Sequence, residues 1–389
     1  MYKLRAKLIA YSNADLQVFS KAKKRLLSLF HQEKVEFVDN DPDILVFLTG
    51  GSERQATQTV QKNKFYLLIA SSGDNSWAAA TEVKSWMNNQ GIASILTDQA
   101  NPNSQLLVDA FFHVMNGLAN LKGKRYGLIG TPSDWLVNSV VDPELAKAKL
   151  GVEQVSIPWS DININETESV ASDFLSFFSS GESLGISDAG KVYEALAKVI
   201  SKHQLNAVSV ECFSLVNSCN TTACLALAKL SMDGIPAGCE GDTCSMLGLM
   251  LAKEICGITP WMANIAHVVE SKVLLAHCTI PANLVSDFSL ETHFETDKGV
   301  AINGRLRGEE FTFFRFDSKL SRMFIAKGTS VKSANSKTAC RTQLTLEVDP
   351  KYSECLISNP LGNHHLVLPG NHVNALNLAA EVLSIKVLP

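Results

Sequence analysis

The 389-residue chain has no apolar run of the ~18 residues a membrane-spanning helix needs; its longest candidate, residues 246–258, is broken by Lys253 and Glu254. It has no excess of positive charge. Thirty-five Lys and Arg face 39 Asp and Glu for a net charge of -4, so nothing in the balance favours neutralising phosphates, and nucleic acid is not an expected partner. There is no CxxC pair among nine cysteines, an odd number confined to the stretch from Cys212 to Cys355. That argues against a zinc ribbon or a thioredoxin-like site and for cysteines used as small buried hydrophobes. The start lacks a secretory signal, because Lys3, Arg5 and Lys7 interleave with apolar residues and no long apolar region follows. A reducing, cytoplasmic setting is the expectation, and Asn165-Glu166-Thr167 and Asn220-Thr221-Thr222 read as chance matches to the glycosylation pattern. Thr49-Gly50-Gly51-Ser52 lacks the GxGxxG spacing and the P-loop lysine, and reads as a tight strand–helix turn.

What is present is the composition of an ordinary globular protein, 46% hydrophobic and 19% charged, long enough for two or three domains. In the first third, apolar runs at residues 4–11, 44–48, 65–70 and 92–96 alternate with helical patterns at 15–29, after Ser52, up to 88, and at 104–118. Such alternation predicts a parallel sheet in flavodoxin-like order. After the polar link Lys122-Gly123-Lys124-Arg125 a second series begins, with strands at 126–130, 155–157 and 207–210 and helices at 187–200 and 222–232. From about residue 263 the pattern becomes short β segments separated by turns, with 373–383 as the clear helix. The expected fold class is α/β, with two flavodoxin-like domains (1–122 and 123–262) and a β-rich, antiparallel barrel-like domain (263–389).

Three clusters could carry chemistry. Glu240, in Gly238-Cys239-Glu240-Gly241-Asp242-Thr243, falls at the carboxyl end of a short apolar segment and just before a long apolar helix, where open α/β sheets place ligand sites. Asp242 or Thr243 can cap that helix. His364 and His365, entering a strand, must point to opposite faces, so one of them can face a given pocket. Imidazole and carboxylate together suit a divalent metal. His277 ends an apolar strand before a turn, and Glu211 and Cys212 end another, so all three are candidates to line the same crevice. A thiol enzyme built on Cys239 or Cys278 is a weaker reading, since neighbours on a strand face opposite ways.

In order and spacing, Cys239-Glu240-Gly241-Asp242 with its helix closing at Cys256-Gly257, then Pro260-Trp261-Met262-Ala263-Asn264, His277-Cys278 and Gly362-Asn363-His364-His365 resemble the L-fucose isomerase and L-arabinose isomerase superfamily, in a compact fucose-isomerase-like form. The resemblance runs from about Tyr126 to the end. It implies aldose–ketose isomerisation of a sugar by a homo-oligomer, a trimer or hexamer, with a divalent ion, typically manganese. It implies metal ligation by Glu240, Asn264 and His365, substrate contact by His364, and for His277 the place of a further histidine. Glu240 would act as both ligand and base.

A carboxylate can carry the proton between C2 and C1 through an enediol while the metal stabilises developing charge. The departure is Asn264, an amide where the family pattern has a second acid. An amide oxygen can ligate a hard metal but cannot accept a proton at neutral pH. Asp242 could compensate by turning inward. Without compensation, the chain would be a catalytically reduced carbohydrate-binding or regulatory relative.

Overall fold

The structure, a computed structural model, describes residues 2–29, 34–98, 100–167, 169–179 and 185–389. The chain separates into two compact units, residues 1–119 with 377–384, and residues 120–376 with 385–389.

In the first unit β1 (Leu4–Ile9), β2 (Val35–Phe37), β3 (Ile44–Phe47), β4 (Tyr66–Ala70) and β5 (Ser94–Asp98) are interleaved with α1 (Leu16–Leu29), α2 (Glu53–Thr59) and α3 (Ser76–Asn89). The strands pair in parallel in the order β2-β1-β3-β4-β5. Ile44-Leu45-Val46-Phe47 and Tyr66-Leu67-Leu68-Ile69-Ala70 are buried at every position. A continuous apolar run is what a strand covered by helices on both faces requires. The turn Thr49-Gly50-Gly51-Ser52 is closed by Ser52 Oγ donating to Thr49 O at 2.8 Å and tied to the next loop by Gly50 N donating to Asp74 O at 2.7 Å. The helix α4 (Ser104–Leu121) follows.

The second unit opens with another parallel sheet of β6 (Arg125–Ile129), β7 (Glu153–Ile157), β8 (Ala207–Val210) and β9 (Ala237–Cys239), ordered β7-β6-β8-β9. Its helices are α5 (Pro143–Leu150), α6 (Ser172–Phe177), α7 (Ile186–His203), α8 (Phe213–Cys219), α9 (Cys224–Met232) and α10 (Thr243–Cys256).

The remaining strands are β10 (Trp261–Val269), β11 (Lys272–His277), β12 (Val285–Glu291), β13 (Ala301–Leu306), β14 (Glu310–Phe316), β15 (Arg322–Ser330), β16 (Thr342–Val348), β17 (His364–Pro369) and β18 (Lys386–Leu388), with α11 (Pro350–Ser358) and α12 (Val373–Val382) among them. They form a mixed sheet, β14-β17-β10-β11-β16-β15-β18, in which β14 also pairs with β15, so the hydrogen-bonded circuit returns on itself. β18 joins in parallel and the other pairs are antiparallel. β12 and β13 form a separate hairpin.

The alternation of side chains along these strands fixes where the site can form. Trp261, Ala263, Leu275, Phe311, Phe313, Leu344, Leu346 and Val367 share one core. The neighbouring positions Leu366 and Phe314 turn instead toward α10, where a side chain added at Gly248 would collide with Leu366. β8 and β9 pack against the same helix. A helix covered on both sides must be apolar around its circumference, and residues 243–252 of α10 are all buried. Residue 262, an expected boundary, therefore falls inside one compact unit, because α10 is shared by its two sheets. Residues 291–302 comprise the end of β12, a connecting loop and the start of β13. α11 lies in the stretch expected to be β-rich; Asp349 caps it by accepting from Lys351 N at 3.0 Å, with Pro350 at its first turn. No described helix is long and apolar enough to cross a membrane.

Candidate metal centre

Glu240 follows β9 directly, at the carboxyl end of the parallel sheet. Its backbone is left-handed, φ 62°, as is that of Gly241, φ 69°. A non-glycine residue held there costs on the order of 1 kcal/mol and persists where its surroundings fix it. Here Ser133 N donates to Glu240 O at 3.0 Å and Gly241 N to Val210 O at 3.2 Å. This double turn lifts the Glu240 side chain into a cleft of about 500 Å³, lined also by Trp135, Asn264, Glu295, Cys340 and His364.

Two residues later the chain enters α10, and Asp242 caps it. Its Oδ1 accepts from Ser245 N at 2.7 Å and its Oδ2 from Ser245 Oγ at 2.9 Å. β17 packs on α10, so the outward-facing His364 comes down on the same carboxylate, with Nδ1 2.9 Å from Asp242 Oδ2. With Asp242 ionised, Nδ1 carries the proton and donates. The other nitrogen, Nε2, is buried, has no hydrogen-bond partner, and lies 3.6 Å from Glu240 Oε1. His277, at the end of β11, brings its Nε2 to 3.9 Å from the same oxygen, its ring 5.6 Å from that of His364. The ligand atoms of Glu240, His277 and His364 lie within 4.8 Å of one another, and the group could hold a metal ion.

The electrostatics follow from this packing. Burial pushes the His364 imidazole down, but the Asp242 hydrogen bond and the charges of Glu240 and Asp242 outweigh it and raise it to about 9. Burial pushes the Glu240 carboxyl up; the nearby charges of His364 and His277, with the hydrogen bond from Trp135, dominate and hold it at about 2. Trp135 adds to this, its indole N–H donating to Glu240 Oε2 at 2.6 Å. His277 has no such anchor. Burial and the charge of His364 push it down to about 3, so its ring is neutral. Its Nδ1 accepts from Thr279 N at 3.2 Å, which leaves its proton on Nε2. Arg315, fully buried, balances Asp242 at 3.7 Å and ties the floor together by donating to His364 O at 2.5 Å and Ser139 Oγ at 2.7 Å.

Several expectations change places. His365, expected as a ligand, lies on the opposite face of β17, its ring 5.5 Å from that of Phe324 and 6.0 Å from that of Phe313. It is His364, expected to touch substrate, that joins Glu240. Asp242, a candidate catalytic group, is 0% exposed and spends both oxygens on Ser245 and His364, so it does not turn into the cleft. Asn264 lines the cleft opposite His364 in the β10–β17 register, but its Oδ1 accepts from Asn363 Nδ2 at 2.5 Å. Glu211 is taken up by Trp159 Nε1, at 3.2 Å from Oε2, and by Ser214 N, at 3.1 Å from Oε1. Cys212 Sγ sits 2.9 Å from Cys239 Sγ, both buried. Neither Glu211 nor Cys212 lines the cleft.

Trp135, Glu295 and Arg315 went unnoticed in the sequence. Trp135 had a signal: it follows β6, next to the point where the strand order reverses between β6 and β8, and such loops carry ligand contacts in open α/β sheets. No protein-family model matches the chain, and no curated protein matches it in sequence.

Proposed function

We propose that the protein is a divalent-metal-dependent aldose–ketose isomerase acting on a sugar or sugar derivative, with manganese the favoured ion. The observation that supports this most is the orphaned Nε2 of His364. A buried imidazole nitrogen without a partner costs free energy, and this one converges with a carboxylate and a second imidazole. Its other nitrogen is held by a carboxylate, the arrangement that orients metal-binding histidines. The donor set of one carboxylate and imidazoles suits manganese, zinc or iron. Glu240 and His364 would hold the ion. His277 would join them with its proton on Nδ1 in place of the hydrogen bond now accepted from Thr279 N. A bound divalent ion would polarise the sugar carbonyl and stabilise negative charge on the two oxygens that exchange roles.

The protein's own residues have defined tasks in this reading. Asp242 keeps a proton on His364 Nδ1, so that the proton given up to an incoming metal is the one on Nε2. Trp135 fixes the rotamer of Glu240 and, 54% exposed, presents an aromatic face at the cleft mouth to the C–H face of a sugar ring. Asn363 holds Asn264, leaving the Asn264 N–H groups to sugar hydroxyls.

Isomerisation of a panel of pentoses, 6-deoxyhexoses and hexoses, in EDTA and then with added Mn²⁺, tests the reading in wild type and Glu240→Gln. Metal-dependent turnover lost in Glu240→Gln is expected. A wild type that turns over none of them would sink the isomerase.

One observation favours a second reading. Asn264 is an amide whose oxygen is already bonded to Asn363, so the site lacks an acid there. A catalytically reduced sugar-binding protein would then bind sugars in calorimetry without converting them.

A further inference from the structure

We propose that Glu295 is the second carboxylate of the site, the group that carries the proton between C2 and C1 of the sugar. The inference rests on the isomerase reading. Among the described residues lining the cleft, the groups able to exchange a proton are Glu240, Glu295, Cys340 and His364. The geometry eliminates three of them. His364 has one nitrogen committed to Asp242 and the other to the metal position. Glu240 is the anionic ligand, one oxygen held by Trp135. Cys340 interacts with the Cys278 thiol, and that contact together with burial pushes it far above its ordinary range. Asn264, on the cleft wall, is an amide.

Glu295 remains, solvent-accessible at the cleft wall. It sits in the loop joining β12 to β13, and that loop is anchored. Asp297 N donates to His293 O at 2.9 Å, His293 Nδ1 lies 3.1 Å from Thr296 Oγ1, and Arg341 Nε donates to Thr292 O at 2.8 Å. Glu240 and Glu295 line the same cleft, and with Glu240 held by Trp135 and turned to the metal position, Glu295 is the carboxylate placed to take and return a proton.

The step balances within the sugar. The Glu295 carboxylate takes the proton from C2 as the C1–C2 double bond forms, the C1=O bond becomes single, and O1 gains a proton, giving the enediol. The carboxyl then returns its proton to C1, O2 loses its proton, and the C2=O bond forms. The proton lost from O2 offsets that gained by O1, and no oxidant or reductant takes part.

The test uses the full chain with Mn²⁺ in D₂O and the aldose that wild type converts best. Glu295→Gln is expected to lower kcat 10²–10⁴-fold with KM changed less than about threefold, and to bind Mn²⁺ alone in calorimetry as wild type does. Wild type should place solvent deuterium at C1 of the ketose. Glu295→Asp, which keeps the acid on a shorter arm, should recover part of kcat, and an unchanged circular dichroism spectrum shows that both variants fold. Glu295→Gln turning over at the wild-type rate overturns the role of Glu295 and leaves the isomerase standing. A wild type inert on every sugar overturns both.

Discussion

The Nδ1 of His364 lies 2.9 Å from Oδ2 of Asp242, and this one contact joins the start of α10 to the start of β17. The carboxylate that caps a helix thus also sets which imidazole nitrogen faces the cleft. The consequences are measurable.

Metal binding should release a proton. The His364 ring is charged at neutral pH because Asp242 and Glu240 raise it to about 9, and a ligating imidazole must be neutral. Mn²⁺ titrated at pH 7 in buffers of different ionisation enthalpy should show close to one proton released per ion, and affinity should rise about tenfold per pH unit up to about pH 9. Heats that do not vary with buffer would exclude His364 as a ligand.

Without metal, stability should fall in alkali. A histidine raised in the folded state contributes stability that is complete below its unfolded value of 6.5 and is lost as pH climbs through about 9. At 1.36 kcal/mol per pH unit the contribution is about 3 kcal/mol. Urea unfolding in EDTA at pH 6 and pH 10 should show that loss in wild type and much less of it in His364→Gln.

Trp135→Phe should make the protein more sensitive to acid. Glu240 is depressed to about 2, so its contribution is present above about 4.5 and is lost as pH falls toward 2. The substitution keeps the ring beside Phe213, 4.8 Å away, but removes the indole N–H, a charge-assisted hydrogen bond of about 1.5–3 kcal/mol. The acid unfolding midpoint should move upward, and an unmoved midpoint would show that the Trp135 bond does not stabilise the carboxylate.

Gly362→Ala should unfold the site. Gly362 has φ 145°, and a Cβ there would run into the guanidinium of Arg315, which is fully buried beside Asp242. Displacing it takes the buried guanidinium away from Asp242, His364 O and Ser139, a change of about 3–5 kcal/mol. A thermal melt within a degree or two of wild type would contradict the packing seen around Arg315.

Much of the fold was legible because burial on both faces leaves a continuous apolar trace. Residues 44–47 and 66–70 carry it, and the helix Thr243–Cys256 shows it all round. α11 was missed because its eight residues after Pro350 mix polar and apolar types without a strong period, although Asp349-Pro350 marks its start. Glu240 was legible from its place after a short strand. Glu295 was not, since a loop glutamate between Phe294 and Thr296 carries no pattern until β12 and β13 fold back beside the cleft.

The sequence determined that Glu240 ends a strand, that an apolar helix follows it, and that His364 and His365 face opposite ways, because strand alternation and helix capping are local. Which histidine meets Glu240 was decided only in three dimensions. β17 pairs with β10 so that Asn264 stands opposite His364, and the face carrying His364 and Leu366 packs on α10 while that carrying His365 and Val367 turns into the core. That register depends on contacts a hundred or more residues apart, and no local rule of spacing reaches so far.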